Sequence, residues 1–222
     1  MGAWEGRRAL ILSAAPCEDV EYVREFLQTQ SNPVILCADG GVRYAQALGL
    51  IPDVVVADFD SSAGTPNCRE LIRLTPEKDD TDTQHCVDVA MERGCRELTL
   101  ACATGGRLDH LMANLLLCES VQERGGRLTI LDKQNTVFLH EGGRMQFARA
   151  DARKYISIIP LDRKLEGVTL RGMKYPLEDA VLQRDRIISV SNEAIYPVFS
   201  IEIGNGRALI IFAEDRESSL TL

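Results

Sequence analysis

The sequence predicts an α/β chain in two parts: an N-terminal open, mostly parallel sheet with helices on both faces, then a smaller all-β sandwich. Three observations carry that expectation. Up to about residue 130, short and wholly apolar runs alternate with helical patterns, which suits a parallel sheet covered on both sides. After about residue 135, strand-like runs follow one another without helices, as in an antiparallel sandwich or barrel. With 222 residues, 45% of them hydrophobic and 26% charged, the chain has material for one large core or two small ones.

In the first part, ALILSA (9–14) reads as a strand and Val20 to Gln28 as a helix. VILCA (34–38) is a strand and Val42 to Leu48 a helix, closed by Gly49 at its C-cap. VVVA (54–57) is a strand, and CRELIRL (68–74) is placed as the helical pattern after it. A helix is expected from about Thr83 to Arg93. ELTLACA (97–103) precedes a helix from Leu108 to Glu123, with Leu108, Leu111, Met112, Leu115 and Leu116 as its apolar face. RLTIL (127–131) closes the series.

In the second part, RMQFARA (144–150), KYISIIPL (154–161), GVTLRG (167–172), RIISVSN (186–192), VFSIEI (198–203) and RALIIFA (207–213) read as strands. Turns are marked by Gly142-Gly143 and by GNG (204–206), the latter favouring a tight hairpin. The domains are expected at residues 1–135 and 136–222, with the boundary between Asp132 and Gly143.

A net charge of -8 argues against a general nucleic-acid binder, and no segment approaches the ~20 apolar residues of a membrane helix. Seven cysteines without a CxxC pair fit reduced thiols in a cytoplasmic protein, not a disulfide or zinc framework. Arg7-Arg8 followed by ALILSAAPC (9–17) has the outline of an export signal. Its apolar stretch is short and Pro16 suits no cleavage site, so it is read as the first strand.

Acidic residues crowd the middle of the chain: Asp53 to Glu92 holds ten acids against Arg69, Arg73 and Lys78. They fall at strand ends, where open α/β sheets bind ligands. Asp39-Gly40-Gly41 ends VILCA; the glycines permit close approach of a ligand, although Asp39 also suits a plain helix N-cap. After VVVA, Asp58 and Asp60 at i and i+2 share one side of an extended segment, and two carboxylates so close call for a cation such as Mg²⁺, although a polar strand end with one Asp capping a turn also suits the pattern. In EKDDTDTQH (77–85), Asp82 or Thr81 can cap the next helix, while Asp79, Asp80 and Lys78 exceed what capping needs. Thr104-Gly105-Gly106-Arg107 is a glycine turn with a cation at a helix start, suited to a polyphosphate, with Asp109 and His110 beside it.

Together these residues resemble the thiamine pyrophosphokinase family. The resemblance rests on four ordered motifs: Asp39-Gly40-Gly41, Ala57-Asp58-Phe59-Asp60-Ser61, Lys78-Asp79-Asp80-Thr81-Asp82 and Gly105-Gly106-Arg107-Leu108-Asp109-His110. GVTLRGMKYPL (167–177) and SVSNE (189–193) are similar to the family's thiamine-site region. Ala57 and Cys102 depart from positions where the family commonly has glycine. The only tryptophan is Trp4, so another side chain must cover the thiamine.

The resemblance implies transfer of pyrophosphate from ATP to the hydroxyl of thiamine, giving thiamine diphosphate and AMP. It implies a homodimer with the active site between the α/β domain of one subunit and the β domain of the other. Asp58, Asp60 and Asp82 would hold Mg²⁺, with Asp39 and Asp79 in support. Gly105, Gly106 and Arg107 would grip phosphates; Gly40, Gly41, Ser61, Lys78, Thr81, Asp109 and His110 would line the nucleotide; Ser191 and Asn192 would meet thiamine. A carboxylate near the substrate is the simplest general base. Two rivals stay open on sequence alone: a phosphohydrolase with Asp58 as covalent nucleophile, and a non-catalytic sensor of nucleotide or thiamine.

Overall fold

The structure, a computed structural model, describes residues 2–58, 66–74, 80–186 and 188–215. It divides into two compact units, Met1–Lys133 and Gln134–Leu222.

In the first unit, β1 (Arg8–Leu12), β2 (Val34–Ala38), β3 (Val54–Ala57), β4 (Glu70–Arg73), β5 (Glu97–Ala101) and β6 (Arg127–Leu131) pair in parallel in the order β4-β3-β2-β1-β5-β6. The helices are α1 (Glu21–Gln28), α2 (Val42–Leu48), α3 (Asp82–Glu92) and α4 (Leu108–Glu123). Alternate strand residues Leu10, Leu12, Ile35, Cys37 and Val55 form one core with Tyr22 and Val23 of α1 and Tyr44, Ala45 and Leu48 of α2. The intervening Ile11, Leu36 and Val54, also buried, point to the opposite face, where α3 lies against β1, β2 and β3 and touches α4. Gly49 adopts the left-handed conformation that ends α2.

The strand order fixes where a ligand can sit. The chain builds outward from β1 to β4, then returns to place β5 on the other side of β1. The loops leaving β1 and β5 therefore diverge and open a crevice at the carboxyl ends of those strands.

Two expectations need correction. CRELIRL is not helical: Glu70–Arg73 is the edge strand β4, in parallel register with β3 from Val54↔Glu70 to Ala57↔Arg73. The β3 edge offers this run a full parallel ladder, and that tertiary pairing overrides its local helical pattern. On α4, the buried residues are Asn114, Leu117, Cys118 and Val121, while Leu108, Met112 and Leu116 are 70%, 50% and 49% exposed. Its sequence is apolar around much of its circumference, so spacing alone did not select the inward face.

The second unit contains β7 (Asn135–His140), β8 (Gly143–Ala148), β9 (Tyr155–Pro160), β10 (Lys164–Arg171), β11 (Leu177–Gln183), β12 (Val198–Ile203) and β13 (Ala208–Ala213). β13 pairs antiparallel with β7 and β9; the other sheet runs β11-β10-β12-β8, also antiparallel. Ile156, Ile158, Ile210 and Phe212 of one sheet and Leu165, Val168, Phe199 and Ile201 of the other share a core. Phe147 stacks on Phe199 with centroids 5.2 Å apart and meets Phe212 of the facing sheet edge-on, also at 5.2 Å.

Here too the elements differ in places from expectation. NTVFLH (135–140) is a strand that the periodicity did not single out. Residues 188–192 carry only isolated bridging, Ile156↔Asn192, and Leu177–Gln183 is the strand paired with β10. GNG closes no hairpin, because β12 and β13 lie in different sheets.

Candidate active site

The segment Ser13–Cys17, leaving β1, organises the carboxyl ends of the sheet. Ser13 N–H donates to the carbonyl of Ala101 (2.9 Å) and Ala15 N–H to that of Cys102 (3.1 Å), tying the loop to the end of β5. The Ser13 hydroxyl is 2.8 Å from that of Thr83, both buried, so the first turn of α3 is fixed to the tip of β1. Tyr44 Oη donates to the carbonyl of Ala15 at 2.6 Å and accepts from Cys17 N–H at 2.9 Å, fixing the loop to α2. None of Ser13, Tyr44 or Thr83 was singled out from sequence. Their signal was only a hydroxyl at a strand end or on a helix.

The glycines of two motifs are there for space. A Cβ at Gly41 would lie 2.1 Å from the carbonyl oxygen of Leu12, and one at Gly105 would lie 2.2 Å from that of Pro16. Both distances are impossible for a real side chain, so the Asp39–Gly41 turn and the 104–107 turn each need glycine to seat on the loop after β1. Asp39 is exposed and holds φ +43°, a conformation that side chains seldom adopt.

Asp58 is half-buried immediately beyond β3. Asp60, Ser61, Lys78 and Asp79 lie outside the described residues. At the start of α3, Thr81, not Asp82, is the N-cap, its hydroxyl accepting from Gln84 N–H at 3.1 Å; Asp82 is the first helical residue. Asp80 accepts from Gln84 Nε2 at 3.2 Å. Among the described residues, no three metal-ligating side chains cluster.

Past β5, Cys102 holds φ +54° and is 2% exposed. Glycine adopts this backbone conformation freely, and cysteine adopts it here at some strain. Burial, aided by neighbouring thiol Cys17, pushes its thiol up to about 12 although Tyr22 and the nearby Arg43 charge favour ionisation. Asn114, buried on α4, donates from Nδ2 to the carbonyl of Ala103 at 2.9 Å and so anchors the base of the glycine turn. Without it that buried carbonyl would lose its partner, at a cost of about 1–3 kcal/mol.

Arg107 and Asp109 form an exposed bidentate pair, Nε to Oδ1 at 3.1 Å and Nη2 to Oδ2 at 2.5 Å; Asp109 also accepts from His110 N–H at 2.9 Å. Asp109 therefore holds Arg107 and the backbone, and the His110 side chain is exposed. The Arg107 guanidinium and the His110 N–H hold the Asp109 carboxyl down at about 2. A carboxylate lowered by its fold is stabilising above its ordinary pKa near 3.9, and that contribution is lost as pH falls through the lowered value. Carbon-13 NMR should therefore find Asp109 titrating near pH 2, and Arg107→Ala should return it towards 3.9. An unshifted Asp109 in the wild-type chain would show that the pair does not form in solution.

In the second unit, Ser191 is exposed at φ +59°, its N–H bonded to Ser157 Oγ at 3.0 Å. Asn192 is 6% exposed. Its Oδ1 accepts from Tyr175 N–H (3.0 Å) and Glu193 N–H (2.9 Å), and its Nδ2 donates to the carbonyl of Tyr175 (2.8 Å) and to Met173 Sδ (3.7 Å). The amide is thus occupied in holding the 173–175 segment.

Comparisons with known proteins identify the family of the chain. Residues 27–130 match the thiamin pyrophosphokinase catalytic domain, and residues 144–207 match the thiamin pyrophosphokinase vitamin B1 binding domain. A thiamine pyrophosphokinase of Bacillus subtilis is 27% identical over 194 residues, covering 84% of this chain and 90% of that protein. The crystal structure of a Bacillus subtilis thiamine pyrophosphokinase superposes with a TM-score of 0.83 at 24% identity, covering 94% of this chain and 100% of that one. That of the Geobacillus thermodenitrificans enzyme superposes with a TM-score of 0.80 at 26% identity, covering 95% and 99%. With both domain models matched in order along most of its length, the chain belongs to the thiamine pyrophosphokinase family.

Proposed function

We propose that this chain transfers the terminal pyrophosphoryl group of ATP to the primary hydroxyl of thiamine. The hydroxyl oxygen attacks the β-phosphorus, the bond from that phosphorus to the α–β bridging oxygen breaks, and AMP leaves; the hydroxyl proton passes to a nearby carboxylate. One observation carries the reading. The end of β1 and the loop after it meet the Asp39–Gly41 turn through Leu12 and Ala14, the acidic helix start through Ser13–Thr83, and the glycine turn through Pro16.

In this reading the 104–107 turn holds phosphates by its backbone N–H groups, and Arg107 and Lys78 add positive charge. Gly40, Gly41, Ser61, Thr81, Asp109 and His110 border the nucleotide, and Asp39 and Asp79 support the carboxylates. The donor set fits Mg²⁺: Asp58, Asp60 and Asp82 offer only oxygen, and the helix that Asp82 begins packs against β3, the strand Asp58 follows. When bound, the ion neutralises charge on the polyphosphate. At the thiamine end, Ser191 offers a neutral hydroxyl, and Asn192 keeps the adjoining segment in place.

We assign a homodimer with the active site at the subunit interface. The exposed Leu108, Met112 and Leu116 on α4 and Ile188, Val190 and Tyr196 of the second unit supply apolar surface for it. A cytoplasmic location accords with seven free cysteines, and no described helix is long and apolar enough to cross a membrane.

Incubation with ATP and thiamine tests the reaction. AMP should accumulate only when thiamine is present, together with thiamine diphosphate. ADP or free phosphate as the main product would point to the phosphohydrolase instead, and no product at all to the sensor.

A further inference from the structure

Arg43 holds a positive charge at the β1/β5 crevice that no described carboxylate neutralises. It is exposed in the first turn of α2, directly after the Asp39–Gly41 turn. Its Nη2 donates to the carbonyl of Ala14 at 2.7 Å and to Tyr44 Oη at 2.9 Å, and the guanidinium lies 4.6 Å from the centroid of the Tyr44 ring. A Cβ on Gly40 would stand 3.7 Å from Nη1. Among the described residues, Nε and Nη1 have no hydrogen-bond partner and the guanidinium no ion pair. Four other arginines of this unit are spent on acids, Arg24 on Glu21, Arg69 on Asp53, Arg93 on Glu70 and Arg124 on Asp88, while Arg8 and Arg96 bond neutral groups away from the crevice, on Gln30 and on the carbonyls of Met91 and Cys95.

We propose that Arg43 is a phosphate-binding residue, whose Nε and Nη1 take oxygens of the ATP polyphosphate at the β1/β5 crevice. The proposal rests on the assignment of that crevice to ATP. Three considerations lead to it. The guanidinium is a rigid fork suited to paired phosphate oxygens, and its contacts to Ala14 and Tyr44 fix it before a ligand arrives, so little side-chain freedom is lost on binding. It is pinned to the loop whose Pro16 seats the glycine turn, so the two flank one opening. Arg107, in contrast, must leave Asp109 before it can give both edges of its fork to phosphate. Arg43 has no such competitor.

Inorganic tripolyphosphate serves as a probe that needs no turnover. In calorimetry, Arg43→Gln should weaken its binding by about 10- to 100-fold, the scale of one or two charge-assisted hydrogen bonds. The KM for ATP should rise on the same scale, with the KM for thiamine and the melting midpoint unchanged, and Arg43→Lys should recover part of the loss. Wild-type tripolyphosphate affinity in Arg43→Gln would overturn the proposal. So would equal rises in both KM values, which would make Arg43 a mere brace for Ala14. Failure of the reaction itself looks different: a wild-type chain that binds tripolyphosphate through Arg43 but releases no AMP would sink the pyrophosphoryl transfer and keep this assignment.

Discussion

Asp58→Asn is expected to lower turnover by about a hundredfold or more and to leave the fold intact. The side chain is half-buried just beyond β3, whose own four residues are buried, so the strand does not depend on the carboxylate. Asparagine keeps the shape and removes the charge. A metal ligand contributes most when charge builds on the transferring group, and several kcal/mol at that point amounts to a hundredfold or more in rate. The same loss is expected for Asp60→Asn. The check is kcat at saturating ATP and thiamine over a range of Mg²⁺ concentrations, beside a thermal melt. An unchanged kcat throughout would remove Asp58 from the metal site.

Gly105→Ala should be comparably severe by a different route. The added methyl would need to lie 2.2 Å from the carbonyl oxygen of Pro16, and the obstacle is backbone, not a side chain that can turn aside. Either the 104–107 turn lifts away from the loop after β1 or the loop itself moves. The overpacking should cost about 1–3 kcal/mol of stability. The displaced turn should lower kcat/KM for ATP by about a hundredfold, since donors must stay within a fraction of an ångström of the phosphate oxygens they hold. Kinetics that match the wild-type enzyme would show that the turn does not contact the nucleotide.

Much of the first unit was legible in the sequence, because a strand buried on both faces leaves an uninterrupted apolar run such as VILCA or VVVA. Edge strands leave no such trace. Glu70–Arg73 is only partly covered, so its composition is that of a surface helix and its strand character comes from pairing with β3. In α4, Asn114 faces inward because Ala103 offers it a carbonyl, a tertiary reason that no periodicity encodes. The sandwich hid its connections for a similar cause: turns at Gly142-Gly143 and 204–206 pass between sheets, and glycines mark the turn but not its destination. At the candidate site, the motifs marked Gly41 and Gly105, whose close seating on Leu12 and Pro16 the structure explains. The Ser13–Cys17 loop that unites them is small, neutral and apolar, and Arg43 gained meaning only once its partners were seen.

The most direct test of the account is a crystal structure with Mg²⁺, thiamine and a non-hydrolysable ATP analogue. The triphosphate should lie across Gly105 and Gly106 at the mouth of the β1/β5 crevice, with the ion touching Asp58 and Asp82. A nucleotide bound elsewhere, or an ion that leaves both carboxylates in solvent, would contradict it.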